Sequence, residues 1–427
     1  MEEKKSTGTL VGEGVKRLPL GQLLKRIGPG LIATGIVIGP GAVTTAAMLG
    51  ANYGYALIWL MFPIIFMGIT FVMTTNWLAI TTGMPTIHAI RKYYGKAGAT
   101  VVGIALFLAC LFFTMGNISG TGAGMNLIFG RNWKLGSAIM IAVVVYTYFA
   151  RNVYSKVEKL ITACIIVMIL AFYATLVGVG GPDGAEFGKG LFGFQVPAGS
   201  LGTALAFIST NAAITTGIYN TYLGKEKKWK TDDLFNGVML TDALVHMISV
   251  VLISGAIILV GAVVLHPQGL AIKAPAQLAQ MLEPIMGPAA KYIMGFALLG
   301  AGFSSLLANT QRGMVLLGAG IEKEFGLESK FIRYGCLACL VFAMAICYSF
   351  NGSPTQLILI ANIATSIATP VGGLFVLLLI WRKDVNEGYK APTALRICMT
   401  ISYVFVLIMT VSAFQKTIIP GIAKLFA

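Results

Sequence analysis

Eleven apolar runs divide the chain from residue 28 onward, and they constrain the fold more than any other feature. Their approximate extents are 28–54, 56–82, 99–129, 135–150, 157–179, 200–223, 236–265, 286–320, 331–350, 355–381 and 393–415. Each is near or above the roughly 20 residues that carry a helix across a bilayer, with 135–150 marginal. The runs do not alternate apolar with polar residues, so a membrane β-barrel is excluded. In lipid a helix satisfies its own backbone polar groups. The expected fold class is therefore an all-α polytopic membrane protein. Of the 427 residues 57% are hydrophobic and 11% charged. A soluble chain carries about a quarter charged residues, so a soluble enzyme, a disordered protein and a coiled coil are excluded.

The net charge of +15 is a topology signal here rather than a nucleic-acid footprint. With the N-terminus inside, 23 of the 31 Lys and Arg fall on the inner side, 7 on the outer side and Arg312 within a span. That bias predicts an inner N-terminus and an outer C-terminus. The first 26 residues lack an apolar core and do not read as a cleaved signal peptide. The six cysteines lie almost entirely in apolar runs, and Cys336-x-x-Cys339 has no second pair or nearby His, so it reads as packing thiols.

Two spans are interrupted at matching places. The first reads Gly35-Ile36-Val37-Ile38-Gly39-Pro40-Gly41-Ala42-Val43-Thr44-Thr45. Pro40 lacks an N–H and clashes with the preceding turn, and the flanking glycines weaken the helix further. The sixth reads Ser209-Thr210-Asn211-Ala212-Ala213-Ile214-Thr215-Thr216-Gly217. Breaks five spans apart point to an inverted-repeat transporter with its substrate site at mid-membrane.

Short motifs run along the chain: Gly28-Pro29-Gly30, Pro40-Gly41, Tyr53-Gly54-Tyr55 with Leu57 and Trp59, and Thr82-Gly83. They continue through Asn126-Leu127-Ile128-Phe129-Gly130, Leu298-Leu299, Ala301-Gly302, Ser304-Ser305 and Asn362. In these, over nearly its whole length, the chain resembles the natural resistance-associated macrophage protein (Nramp) family. The resemblance implies the leucine-transporter fold: two inverted five-helix repeats, about 28–180 and 200–381, plus an extra helix at about 393–415. These make one transporter domain over 28–420, behind a cytoplasmic tail of residues 1–27. The usual members carry divalent transition metals with protons.

The departures from the family pattern decide the expected cargo. Where the family has Asp-Pro-Gly-Asn, this chain has Gly39-Pro40-Gly41-Ala42. The sixth-span Met-Pro-His is absent within Ala212–Gly217, and Thr114 and Asn117 stand where the family's proton route carries acids. Soft Met and imidazole ligands select transition metals, and Mg²⁺ is usually held through carboxylates. Of 16 acids, Glu158 sits at the very start of the 157–179 run and only Asp242 lies deeper inside a span, so a dication at mid-membrane would lack countercharge. What remains is a half-helix N-terminus whose N–H groups have no intrahelical partner, suited to a small anion. The expected substrate-binding residues are Gly39, Gly41, Ala42, Thr44, Thr45, Thr210, Asn211, Ala213, Thr215 and Thr216. The Thr hydroxyls and Asn211 are expected to act as donors.

The hydroxyl pair Ser304 and Ser305, with first-span carbonyls such as that of Ile36, matches a sodium position of the wider fold. Asp242 and His246, four apart on one helix face, are gating candidates. His88 and Arg312 read as topological or capping residues. The chain has no HExxH, no in-span Asp pair and no partnered nucleophile, so an enzyme is not expected. The expected function is secondary transport of a small anion such as bicarbonate, sodium-coupled. The alternative is a divalent-cation transporter of the Mg²⁺ type, as the resemblance implies. The expected partners are a small inorganic ion and the lipid bilayer, with no nucleic acid, no cofactor and a monomeric state. The expected location is the plasma membrane.

Overall fold

The computed structural model describes residues 15–26, 34–35, 37–149, 151–226, 229–326, 329–350, 353–386, 391–413 and 415. Fifteen of its helices are labelled here in chain order. They are α1 (Leu20–Arg26), α2 (Pro40–Tyr53), α3 (Met61–Thr82), α4 (Thr86–Phe129) and α5 (Trp133–Phe149). Then follow α6 (Arg151–Gly178), α7 (Gly184–Phe192), α8 (Leu201–Asn211), α9 (Ile214–Glu226) and α10 (Val238–Val260). The last five are α11 (Ala290–Gly320), α12 (Lys330–Ser349), α13 (Pro354–Ala364), α14 (Ala368–Trp381) and α15 (Thr393–Ala413). No strand occurs among the described residues.

Every apolar run of the sequence contains described helix. Among the described residues, eight helical segments are long and apolar enough to cross a membrane, and Trp133–Tyr148 and Ile165–Gly178 are shorter apolar helices. The marginal 135–150 run thus forms α5, a 17-residue helix. The stretch labelled α4 is two helices divided by a kink at Gly95, at φ 80°, so a short helix from Thr86 precedes the third span, whose start after Gly95 agrees with 99 within a few residues. The tenth span is also interrupted, by a 3-10 turn at Thr365–Ile367 between α13 and α14.

The largest interface joins α4 to α11. It is built on missing side chains. A Cβ at Gly120 of α4 would lie 2.1 Å from Pro40 Cβ, and one at Gly302 of α11 would lie 3.3 Å from Pro40 Cγ. The Pro40 ring therefore sits in a notch between the two helices. The residue that breaks the first span is also the residue that wedges the break into the core.

Candidate functional site at the helix breaks

Gly39 is the N-cap of α2, in extended backbone, with Pro40 in the first turn. The first intrahelical bond runs from the Val43 N–H to the Gly39 carbonyl at 3.1 Å. The Gly41 and Ala42 N–H groups precede it and carry the positive end of the helix dipole. Space around them is set by three side chains. A Cβ at Gly39 would lie 2.6 Å from Ser305 Oγ and 2.7 Å from Asn117 Oδ1. A Cβ at Gly41 would lie 2.9 Å from Asn362 Oδ1, and the Asn362 amide donates to the Gly41 carbonyl at 3.0 Å. Asn117 is fully buried, and neither polar atom of its side chain has a protein partner.

The hydroxyls do not all serve as expected. Thr44 is buried with its hydroxyl unpartnered. Thr45 instead donates to the Gly41 carbonyl of its own helix at 2.8 Å, so it is not a free donor. A buried hydroxyl with no other acceptor in reach bonds back to its own helix. Thr114 does the same, donating to the Cys110 carbonyl at 2.8 Å.

The sixth span breaks at Ala212 and Ala213, between α8 and α9. Thr210 donates to the Ala206 carbonyl at 3.0 Å. Asn211 is saturated: its amide donates to the Phe207 carbonyl at 2.8 Å, and its Oδ1 accepts from Ser254 Oγ at 3.1 Å. It cross-links α8 to α10 and offers no donor to a substrate. Beside the sixth-span break lies a cavity of about 10 Å³, the scale of one water molecule. Val37 lines it from the first span, with Ser209, Thr210, Ala213 and Thr215 from the sixth and Thr365 from the tenth; Arg312 of α11 completes the polar wall.

Arg312 corrects the sequence reading. It is not a topological residue, since it is 5% exposed and faces this cavity. Its Nη1 donates to Thr216 Oγ1 at 3.4 Å and its Nη2 to Asn309 Oδ1, while its Nε has no partner. No carboxylate pairs with it among the described residues. The signal was legible as a lone charge inside an apolar span, which marks a functional group by default.

The remaining candidates divide. Ser305 is fully buried beside Gly39. Ser304 is half-buried and donates to its own helix, at the Ala301 carbonyl, 3.3 Å away. Ile36 lies outside the described residues. Asp242 and His246 are both buried on α10, and His246 Nδ1 is hydrogen-bonded to Thr34 Oγ1 at 2.8 Å. His246 thus touches the first half-helix. His88 packs against Tyr222 of α9 and Phe325 of the loop after α11, away from the breaks.

A family model described as natural resistance-associated macrophage protein-like matches residues 30–415. The chain belongs to that family. It is 22% identical over 399 residues to a divalent metal cation transporter, MntH, of Caldanaerobacter subterraneus subsp. tengcongensis, covering 92% of this chain and 93% of that one. It is 23% identical over 376 residues to the metal transporter Nramp6.2 of Populus trichocarpa, covering 82% of this chain and 66% of that one. It thus spans about two thirds of the length of that plant relative. Among solved structures, a variant of the Eremococcus coleocola manganese transporter matches with a TM-score of 0.69 at 16% identity, over 95% of this chain and 90% of that one. That likeness shows the leucine-transporter-like fold. The Nramp chain is accordingly a multi-pass membrane transporter and not an enzyme.

Proposed function

We propose that this family member carries a small oxyanion, with bicarbonate the leading candidate, by alternating access around the two breaks. One observation carries the reading: among the described residues, the sole charge lining the cavity at the sixth-span break is the Arg312 guanidinium, buried with no carboxylate partner among them. An unpaired buried charge costs several kcal/mol, which an anionic cargo offsets while it is bound. The half-helix N-termini at Gly41 and at Ile214 add N–H donors of the same sign. Among the described residues, no carboxylate, imidazole or thioether lines the cavity to hold a dication. Sodium is the proposed driver, and the inner N-terminus and outer C-terminus follow from the basic bias.

The comparisons favour a second reading, a divalent-cation transporter, because the relatives named above are described as metal transporters. Purified protein in liposomes separates the two. Saturable uptake of labelled bicarbonate with no saturable Mn²⁺ or Mg²⁺ uptake is the expected result. Saturable metal uptake without anion uptake would overturn it.

A further inference from the structure

Arg312 is held in place by an amide. On α11, Ser305, Asn309 and Arg312 stand four and then three residues apart, so they share one face of the helix. Ser305 packs against Gly39 at the first break, and Arg312 faces the cavity beside the sixth-span break. Asn309 lies between them and is fully buried. Its Nδ2 donates to the Ser305 carbonyl at 2.8 Å, and its Oδ1 accepts from Arg312 Nη2. Arg312 Nη1 then donates across to Thr216 Oγ1 of α9 at 3.4 Å.

The Asn309 amide can point only one way. Turned over, it would set its N–H donors against the guanidinium, which has only donors, and its oxygen against the Ser305 carbonyl, which only accepts. The contact therefore fixes the direction of the guanidinium and leaves its charge untouched. A carboxylate at the same position would accept the same hydrogen bond, more strongly, and would cancel that charge. Asparagine and aspartate differ by one atom at the tip, so residue 309 sets the aim of Arg312 with one oxygen and the net charge with the other group. The side-chain partners of Arg312 among the described residues, Asn309 and Thr216, are both neutral.

We infer that Asn309 is a positioning residue that decides the sign of the ion this site takes. It holds Arg312 toward the cavity and, being neutral, leaves the positive charge for the cargo to balance. This rests on the anion reading for the cargo, and on the contacts of α11 alone for the charge at Arg312.

Two variants of the full chain separate aim from charge. Asn309→Asp keeps the acceptor and adds the countercharge, whereas Asn309→Leu keeps the size and removes the acceptor. In liposomes, Asn309→Leu should raise the half-saturating bicarbonate concentration roughly three- to tenfold, the worth of one hydrogen bond. Asn309→Asp should lose at least about tenfold more, because a charged hydrogen bond to the anion, worth roughly 10–150-fold, goes with the charge. Uptake by Asn309→Asp at the parent level, or equal losses in both variants, would overturn the inference. Thermal unfolding without cargo gives a readout that does not need bicarbonate. Asn309→Asp should unfold near the parent where Arg312 is present, and at least about 5 °C lower in an Arg312→Met background, where its carboxylate is left alone. The same shift in both backgrounds, or failure of Asn309→Asp to fold beside Arg312, would overturn the inference, since no pair would have formed. If the parent carries no bicarbonate, the cargo reading fails and the unfolding comparison still decides whether residue 309 sets the charge at Arg312.

Discussion

Arg312→Met separates the binding role of the guanidinium from a structural one, because the two predict opposite changes in stability. Methionine has similar reach and no charge. In the parent, the guanidinium is buried with bonds to Thr216 and Asn309 and with Nε unpartnered. Removing it takes one donor away from Asn309 Oδ1, which costs at most about 1–3 kcal/mol. It also removes an uncompensated buried charge, whose desolvation costs several kcal/mol. The second effect is the larger, so without anion the variant should unfold at the same temperature as the parent or higher. Transport should move the other way. A charged hydrogen bond to an oxyanion is worth about 1.5–3 kcal/mol, or roughly 10–150-fold in affinity. The assay is thermal unfolding in detergent, with and without bicarbonate, beside uptake into liposomes. The parent should gain stability on adding bicarbonate and the variant should not. A variant that unfolds well below the parent yet carries bicarbonate normally would refute the argument, since Arg312 would then be a structural residue.

Other outcomes follow from particular contacts. Thr44→Val should weaken bicarbonate uptake about tenfold, by the 1–3 kcal/mol of an oxygen left unpaired, while Thr45→Val should leave it nearly unchanged because that hydroxyl is spent on the Gly41 carbonyl; equal losses in the two uptake curves would contradict this. Gly120→Ala should cost about 1–3 kcal/mol in a denaturation series, because the new methyl meets the Pro40 ring in the notch. Burial raises the Asp233 carboxyl, but the Lys230 N–H, the Asn236 amide and Arg26 together outweigh it and hold it below the usual value. A depressed carboxyl stabilises the fold above its ordinary pKa, and that stability is lost as pH falls through the lowered value. The melting difference between parent and Arg26→Gln should therefore be flat from about pH 5.5 to 8 and shrink only below about 3.9; a difference that changes near neutrality would point to another group.

The fold was legible because lipid leaves few choices. Apolar runs of spanning length must be helices, so all eleven contain described helix, and Pro40 with its glycines marked the first break to the residue. The tenth-span interruption was not legible. Thr365, Ser366 and Ile367 contain neither Pro nor Gly, and the turn forms where tertiary packing overrides propensity. The site was half legible. The stretches where the helices break were marked by the sequence, but which hydroxyls are free depends on where each carbonyl points. Thr45 and Asn211 look like donors in the sequence and are consumed by Gly41, Phe207 and Ser254 in the structure. Arg312 was discounted because a basic residue near a span reads as topology, although its place seven residues beyond Ser305 on one helix puts it well inside the bundle.

The sign of the site follows from its backbone as much as from its side chains. Two helices that start at mid-membrane direct partial positive charge into the space between them whatever sequence they carry. A cation can rest there only if side chains reverse that field, and carboxylates do so most effectively. At Gly39, Gly41, Ala42 and Ala213 this chain has no side-chain charge, and at Thr44, Thr210 and Thr215 it has neutral hydroxyls. The dipoles are then left uncancelled, and Arg312 adds a full charge of the same sign. Gly39→Asp reverses one of these terms at the cap, where Ser305 and Asn117 leave a new side chain little room. Gly39→Ala is the steric control. If both lose bicarbonate uptake equally, crowding alone accounts for the loss. The electrostatic argument requires the aspartate variant to lose at least about tenfold more than the alanine one, since a carboxylate within about 4–6 Å opposes an anion by more than 1 kcal/mol at the effective dielectric of a protein site.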